Sequence, residues 1–284
     1  MLQLIYLLHV VRRFLQRDLI YQKIVESSSN GGLHSCSLFE SLKCWGEGAN
    51  GRLGDGASDD NSSAGSVSVS SDRYVDISNG DNFSCGILSD ALVKCWGNND
   101  NGRLGNNSTT ATDTPTALSG SDTYKAITAG EKHACGILSS NSQVKCWGNN
   151  TDGRLGDNSS TQRTSPVSLD GSDTYSKLAV SAHSCGILSS DSAMKCWGNC
   201  DDDQCGNGAD NSKGQIYDTP NPVTGGHAWS DLCVGAKHTC GIKSDSKVYC
   251  WGNNTNGELG NGNNTSTATP TAIDTSNTYT TLAC

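Results

Sequence analysis

Short apolar runs separated by breaks of Gly, Asn, Ser and Asp recur along this chain, four to a unit. In one stretch YKAITAG is followed by HACGIL and QVKCWGN, and after a Gly-rich turn a fourth run such as TPTAL, TSPVSL or ATPTAI completes the set. In HACGIL both alternating faces are apolar or small, with Cys135 and Ile137 on one and Ala134, Gly136 and Leu138 on the other. A strand of that kind needs cover on both sides. Pro166 and Pro270 in the fourth run suit an edge strand that need not donate every ladder bond. Four short strands per unit, with turns between units, predict an all-β fold, a β-propeller of four-stranded blades stacked face to face.

The unit has a fixed period. Cys-Trp-Gly occurs five times, and its tryptophans Trp45, Trp96, Trp147, Trp197 and Trp251 are spaced by 51, 51, 50 and 54 residues. A second cysteine precedes each, giving five equivalent pairs: Cys36 with Cys44, Cys85 with Cys95, Cys135 with Cys146, Cys185 with Cys196, and Cys240 with Cys250. Residues opposed in an antiparallel hairpin have indices of constant sum. That sum centres the turn between Ser140 and Asn141 in one unit, on Asp90 in another and on Asp245 in a third, each time in a polar break. The cysteines therefore face each other, and cross-strand Cβ atoms lie near disulfide range. We expect five disulfides within hairpins. Reduced cysteines packed as small apolar groups would fit the same pattern; zinc knuckles and a redox Cys-x-x-Cys would not, because the spacing is wrong for both.

Composition then narrows the class. The chain has 284 residues, of which 14 are Cys, 33 Gly and 5 Pro, and only 17% are charged. This excludes a coiled coil or helical bundle. A net charge of -9 argues against gripping phosphate backbones, so no nucleic-acid partner is expected. No apolar run is long enough to span a bilayer. Residues 1–26 differ from the rest: Leu4, Leu8, Val11, Leu15 and Leu19 predict a short helix, but Arg12 and Arg13 follow the apolar run instead of preceding it. A poor signal peptide, a membrane anchor and a misassigned start all fit. Tyr21–Ile24 could open the first blade, leaving 27–284 as the propeller.

Among the repeated residues, His34, His133, His183 and His238 stand two before the first Cys of their hairpins, where Phe83 replaces them once. Phe in a metal-ligand position makes a structural role the better reading, and no metal site is expected. The tryptophans read as packing between blades, with a stacking platform for sugars or bases as the alternative. Gly51, Gly102, Gly153 and Gly257 mark a tight turn with a Leu tucked beneath it, not a phosphate cradle. Arg52, Arg103 and Arg154 in that turn are expected to project from one rim, as solvated loop charges or a binding arc.

The fourth unit carries Cys200 and Cys205 where the others have Asn and Leu, which predicts a loop disulfide. Asp201, Asp202 and Asp203 between them suggest calcium, yet their spacing misses the known loop pattern. Cys233 and Cys284 have no readable partners; each other is one possibility. Sequons stand at Asn61, Asn82, Asn106, Asn107, Asn149, Asn158, Asn253, Asn263 and Asn264, most beside the Gly-rich turn where a glycan is tolerated.

The string A-G-x-x-H-x-C-G-I-L followed by K-C-W-G-x-N-x-x-G-R-L-G resembles the repeat of the regulator of chromosome condensation family over residues 31 to 284. The resemblance implies a seven-bladed propeller. Activity is implied only weakly, because the repeat serves guanine nucleotide exchange factors, ubiquitin ligases, plant photoreceptors and secreted bacterial inhibitors of β-lactamase. Its Cys-paired form is more typical of extracellular members. Five hairpins fall short of seven, and YTTLAC at the end aligns with the opening strand of a further blade, so the chain stops inside a repeat. It is read as part of a longer propeller, with closure of a smaller ring against the hairpin at His34 as the alternative.

No nucleophile and base stand out from the repetition, so we expect no enzyme, no catalytic residue and no cofactor. The expected function is a secreted or cell-surface glycoprotein module that binds protein or glycan partners or copies of itself, with a membrane contact only if residues 1–26 are an anchor. Alternatives are a regulator of a small GTPase of the nucleotide-exchange type and a secreted enzyme inhibitor.

Overall fold

Asx turns fix the inner hairpins. In four of them an Asp or Asn side chain accepts the backbone N–H two residues on: Asp90 from Leu92, Asn141 from Gln143, Asp191 from Ala193 and Asp245 from Lys247, all at 3.0 Å. The residue between adopts a left-handed φ near 60°, at Ala91, Ser142, Ser192 and Ser246. The polar break thus closes the hairpin and places its cysteines in register.

The computed structural model describes residues 27–38, 40–68, 71–208, 215–226, 228–274 and 276–284. The expected helix within 1–26 and the strand at Tyr21–Ile24 lie outside these. Among the described residues, twenty strands form five four-stranded antiparallel sheets, each meandering in sequence order. Blade 1 is β1 (Ser27–Asn30), β2 (His34–Leu38), β3 (Leu42–Gly46) and β4 (Asn61–Ser66). Blade 2 is β5 (Tyr74–Asn79), β6 (Phe83–Leu88), β7 (Val93–Gly97) and β8 (Thr112–Ala117). Blade 3 is β9 (Tyr124–Ala129), β10 (His133–Leu138), β11 (Val144–Gly148) and β12 (Arg163–Ser168). Blade 4 is β13 (Tyr175–Val180), β14 (His183–Leu188), β15 (Met194–Asn199) and β16 (Ile216–Pro222). Blade 5 is β17 (Trp229–Val234), β18 (His238–Lys243), β19 (Val248–Gly252) and β20 (Thr267–Asp274).

The core lies between blades rather than within them. One cluster joins Phe83, Ile87, Val93 and Leu104 of blade 2 to Tyr124, Ile127, Leu138 and Trp147 of blade 3, and equivalent clusters fill the other joints. That is why β6, β10 and β14 are buried along their whole length. Among the described residues the inner strands pack in succession, β1 on β5, β5 on β9, β9 on β13 and β13 on β17, and no packed strand pair joins blade 5 to blade 1. The described blades form an open arc. Among the described residues, 276–284 add no strand to the sheet of blade 1.

The Gly-rich turn reaches across to the next blade. Gly153 has φ +68°, and a Cβ there would stand 2.7 Å from the Cα of Asp218 in the outer strand of blade 4. Only glycine meets both demands. Beneath the turns Leu53, Leu104, Leu155 and Leu259 are buried as expected.

Candidate functional site

The repeated polar residues converge on the blade joints. Trp96, Trp147, Trp197 and Trp251 each donate the indole N–H to a carbonyl of the preceding blade, at 3.0 Å, from Arg52, Arg103, Arg154 and Gln204 respectively. Three of those carbonyls also accept a hydroxyl from the following blade: Arg52 from Ser84 at 3.2 Å, Arg154 from Ser184 at 2.9 Å and Gln204 from Thr239 at 2.8 Å. The histidine two residues before the cysteine completes the set. His34 meets Ser84 at 2.8 Å, His133 meets Ser184 at 2.8 Å and His183 meets Thr239 at 2.7 Å. Since each hydroxyl gives its proton to the carbonyl, the imidazole must donate through Nε2, leaving Nδ1 a bare lone pair; those Nδ1 atoms are buried without a partner. Burial first, then nearby positive charge from Arg52, lowers the pKa of His34 to about 4. Burial first, then His238 and Arg154, lowers that of His183 to about 3, and His133 is held well below its ordinary value by burial. These are neutral residues of the blade joints.

The exception follows the same rule. Phe83 replaces the histidine in blade 2, and the residue that would meet it in blade 3 is Ala134 instead of a serine. Both partners became apolar together, so no buried donor is orphaned. The Arg103 guanidinium lies 5.9 Å over the Phe83 ring.

The arginines require a correction. Arg52, Arg103 and Arg154 are 4–6% exposed and do not project from a rim. Their stems lie in the joint, with Arg52 paired to Glu47 at 3.0 Å and Arg154 paired to Asp152. Turn arginines with polar neighbours read as solvated in sequence, but the turn folds them back under the next Cys-Trp-Gly.

All five hairpin disulfides form, and their cysteines are directly opposed in the strand register. Cys200 bonds Cys205 and Cys233 bonds Cys284, so no described cysteine is free. The Cys200 bond replaces a hydrogen-bonded clip. In blades 2, 3 and 5, Asn99, Asn150 and Asn254 accept the N–H of Leu104, Leu155 and Leu259 at 2.9 Å. Asp201, Asp202 and Asp203 do not converge as a ligand set; Asp202 pairs with Lys237 at 3.1 Å and Asn253 at 3.1 Å across the joint.

One repeated feature was missed in sequence. An aspartate two residues before the opening tyrosine pairs with the lysine of Lys-Cys-Trp: Asp72 with Lys94 at 2.7 Å, Asp122 with Lys145 at 2.5 Å and Asp173 with Lys195 at 2.6 Å. The recurring Asp-x-Tyr was the available signal. In blade 5 the lysine position is Tyr249, and an edge-on contact with Trp229 at 6.1 Å takes over.

The sequons divide by geometry. Asn107 and Asn158 are exposed at left-handed turns with φ 62° and 57°. Asn149 and Asn253 instead spend their amide nitrogen across a joint, on Asn101 at 3.3 Å and Asp202 at 3.1 Å. Asn264 donates to the Thr255 carbonyl at 3.2 Å, and Asn106 accepts from Asn99 at 3.1 Å. Asn61 and Asn82 are half-buried, and Asn263 is exposed.

Four joints with one tryptophan and one turn carbonyl each, three of them with an imidazole as well, define a repeat that two models of the same family match. The regulator of chromosome condensation (RCC1) repeat is found at residues 74–103, 124–154 and 229–258 by one model, and at 92–137 and 245–284 by the other. The chain carries RCC1 repeats. Solved structures agree in fold. Human WBSCR16 is 18% identical with a TM-score of 0.76, over 87% of this chain and 65% of that one. Yeast RCC1 (Prp20), solved bound to Kap60, is 19% identical with a TM-score of 0.74, over 86% and 60%. The ectodomain of the receptor kinase CR4 from Physcomitrella patens is 22% identical with a TM-score of 0.54, over 78% and 50%. The chain spans less than two thirds of the length of each. In these RCC1 repeats most of the chemistry-bearing positions that recur are occupied by the joints.

Proposed function

We propose that this chain is a non-enzymatic interaction module of an oxidising, extracellular compartment, presenting propeller loops to a protein partner. The observation that carries the reading is the pairing of the described cysteines into seven disulfides with none left free. Three repeat histidines, four tryptophans and the three buried turn arginines are held in blade joints, which leaves them for packing. Likeness to a receptor ectodomain supports the compartment, and the yeast structure with Kap60 supports protein partners. No described helix is long and apolar enough to cross a membrane. Glycans belong at Asn107, Asn158 and Asn263, whose side chains are exposed, and not at Asn149, Asn253 or Asn264, whose amide nitrogens are engaged. Binding of glycans and self-association are narrower versions of the same reading.

The test is secretion from a eukaryotic host followed by peptide mapping without reduction and cross-linking capture on intact cells. Expected are the seven pairs, glycans on the exposed sequons and a cell-surface protein that competes with unlabelled chain. Mostly free thiols, with accelerated nucleotide release from a small GTPase, would replace this reading by the intracellular regulator.

A further inference from the structure

Blade 5 differs from the other four in carrying a third cysteine in its sheet. Cys233 of β17 is the register partner of Cys240 in β18, and Cys240 is in turn the partner of Cys250 in β19. Three cysteines thus stand in a row on one face of adjacent strands. The positions equivalent to Cys233 in the earlier blades are Ser29, Ser78, Thr128 and Ala179. In the first two of these the side chain reaches the next blade as a hydrogen bond, Ser29 to the Asn79 N–H at 2.8 Å and Ser78 to the Ala129 N–H at 2.9 Å. Cys233 makes the same reach covalently, to Cys284, which lies 51 residues on. The sulfurs of Cys233, Cys240 and Cys284 all lie within 4.8 Å of one another.

Beyond its role as an interaction module, the geometry points to a thiol-exchange site at this end of the arc, where Cys233 changes partner from Cys284 to Cys240 when a small-molecule thiol arrives. Cys284 is the exposed member, while the cysteines of the other blades are at most 1% exposed. The incoming thiolate attacks Cys284 Sγ; the bond to Cys233 breaks, a mixed disulfide forms on Cys284, and the electron pair leaves on Cys233 Sγ. The Cys233 thiolate then attacks Cys240 Sγ. A Cys233–Cys240 bond forms, the Cys240–Cys250 bond breaks, and Cys250 departs as thiolate and takes up the proton lost by the incoming thiol. Cys233 and Cys250 stand on the two strands that flank Cys240 in β18, so the attacking and the departing residue come from opposite neighbours of that strand. The number of disulfides is conserved. The outcome frees 279–284, whose remaining ties include the Tyr279 N–H to the Ser246 carbonyl at 2.9 Å and the Leu282 N–H to Asp231 at 2.9 Å.

Peptide mapping of the whole chain tests this directly. The protein is treated with limiting reduced glutathione at mildly alkaline pH, quenched by alkylation and digested without reduction. The expected products are a Cys233–Cys240 linked peptide, glutathione on Cys284 and alkylated Cys250, the last two rising in a 1:1 ratio, with the Cys135–Cys146 pair untouched. An intact Cys240–Cys250 pair beside alkylated Cys233 would overturn the exchange. A Cys284 no more reactive than Cys135 would overturn the site itself.

Discussion

His133 and Ser184 illustrate how the joints distribute their energy. A buried tryptophan removes roughly 200 Å² from water, about 5 kcal/mol before chain entropy is counted. A buried hydrogen bond nets only about 1 kcal/mol, but leaving its donor unpaired costs about 1–3 kcal/mol. Packing therefore holds the blades together, and the polar set decides which residues are tolerated. Ser184→Ala should lower stability by about 1–3 kcal/mol, because the His133 N–H loses its acceptor. Adding His133→Phe, which copies the Phe83 and Ala134 joint, should recover most of that loss. Denaturant unfolding of the two variants checks this; a double variant no better than the single would refute the pairing rule. The histidines were legible as structural because Phe83 interrupts them, but their hydroxyl partners were not, since each stands in the next blade.

At the scale of the element, the Gly-rich turn can be closed in two ways. Asn99 with Leu104 uses a hydrogen bond and an apolar side chain, whereas Cys200 with Cys205 uses a covalent bond. A disulfide closing so short a loop contributes about 2 kcal/mol on the chain-entropy model, comparable to a hydrogen bond plus a buried leucine. Cys200→Asn combined with Cys205→Leu should therefore fold with stability within about 1 kcal/mol of the parent, while Cys200→Ser alone should lose more; thermal unfolding followed by circular dichroism distinguishes them. The strands themselves were readable from cysteine register and polar breaks. The arginine side chains were not, because a turn that folds back on the next blade leaves no mark in its own residues.

For the whole molecule, three joints share one acid weakness. A histidine held neutral in the folded state below its ordinary pKa lets protons favour the unfolded chain. The stability it contributes is whole above pH 6.5 and declines as pH falls toward about 4, the folded value for His34. The midpoint of thermal unfolding should drop by several degrees across that window, and less in the His133→Phe, Ser184→Ala variant. A flat profile between these pH values would contradict histidines held neutral in the joints. Excess reductant should unfold the arc as a whole, since the hairpin bridges sit at every joint and each contributes about 2–3 kcal/mol; loss of near-ultraviolet tryptophan signal reports it.

The Phe83 and Ala134 joint also carries information. A blade ending in histidine fits only a successor with a hydroxyl, and a blade ending in phenylalanine fits one without. Exchanging blades 2 and 3 would set His34 against Ala134 and strand its N–H. Neighbours thus recognise one another by a two-letter code, and the apolar pair serves as the address that sets blade 3 behind blade 2.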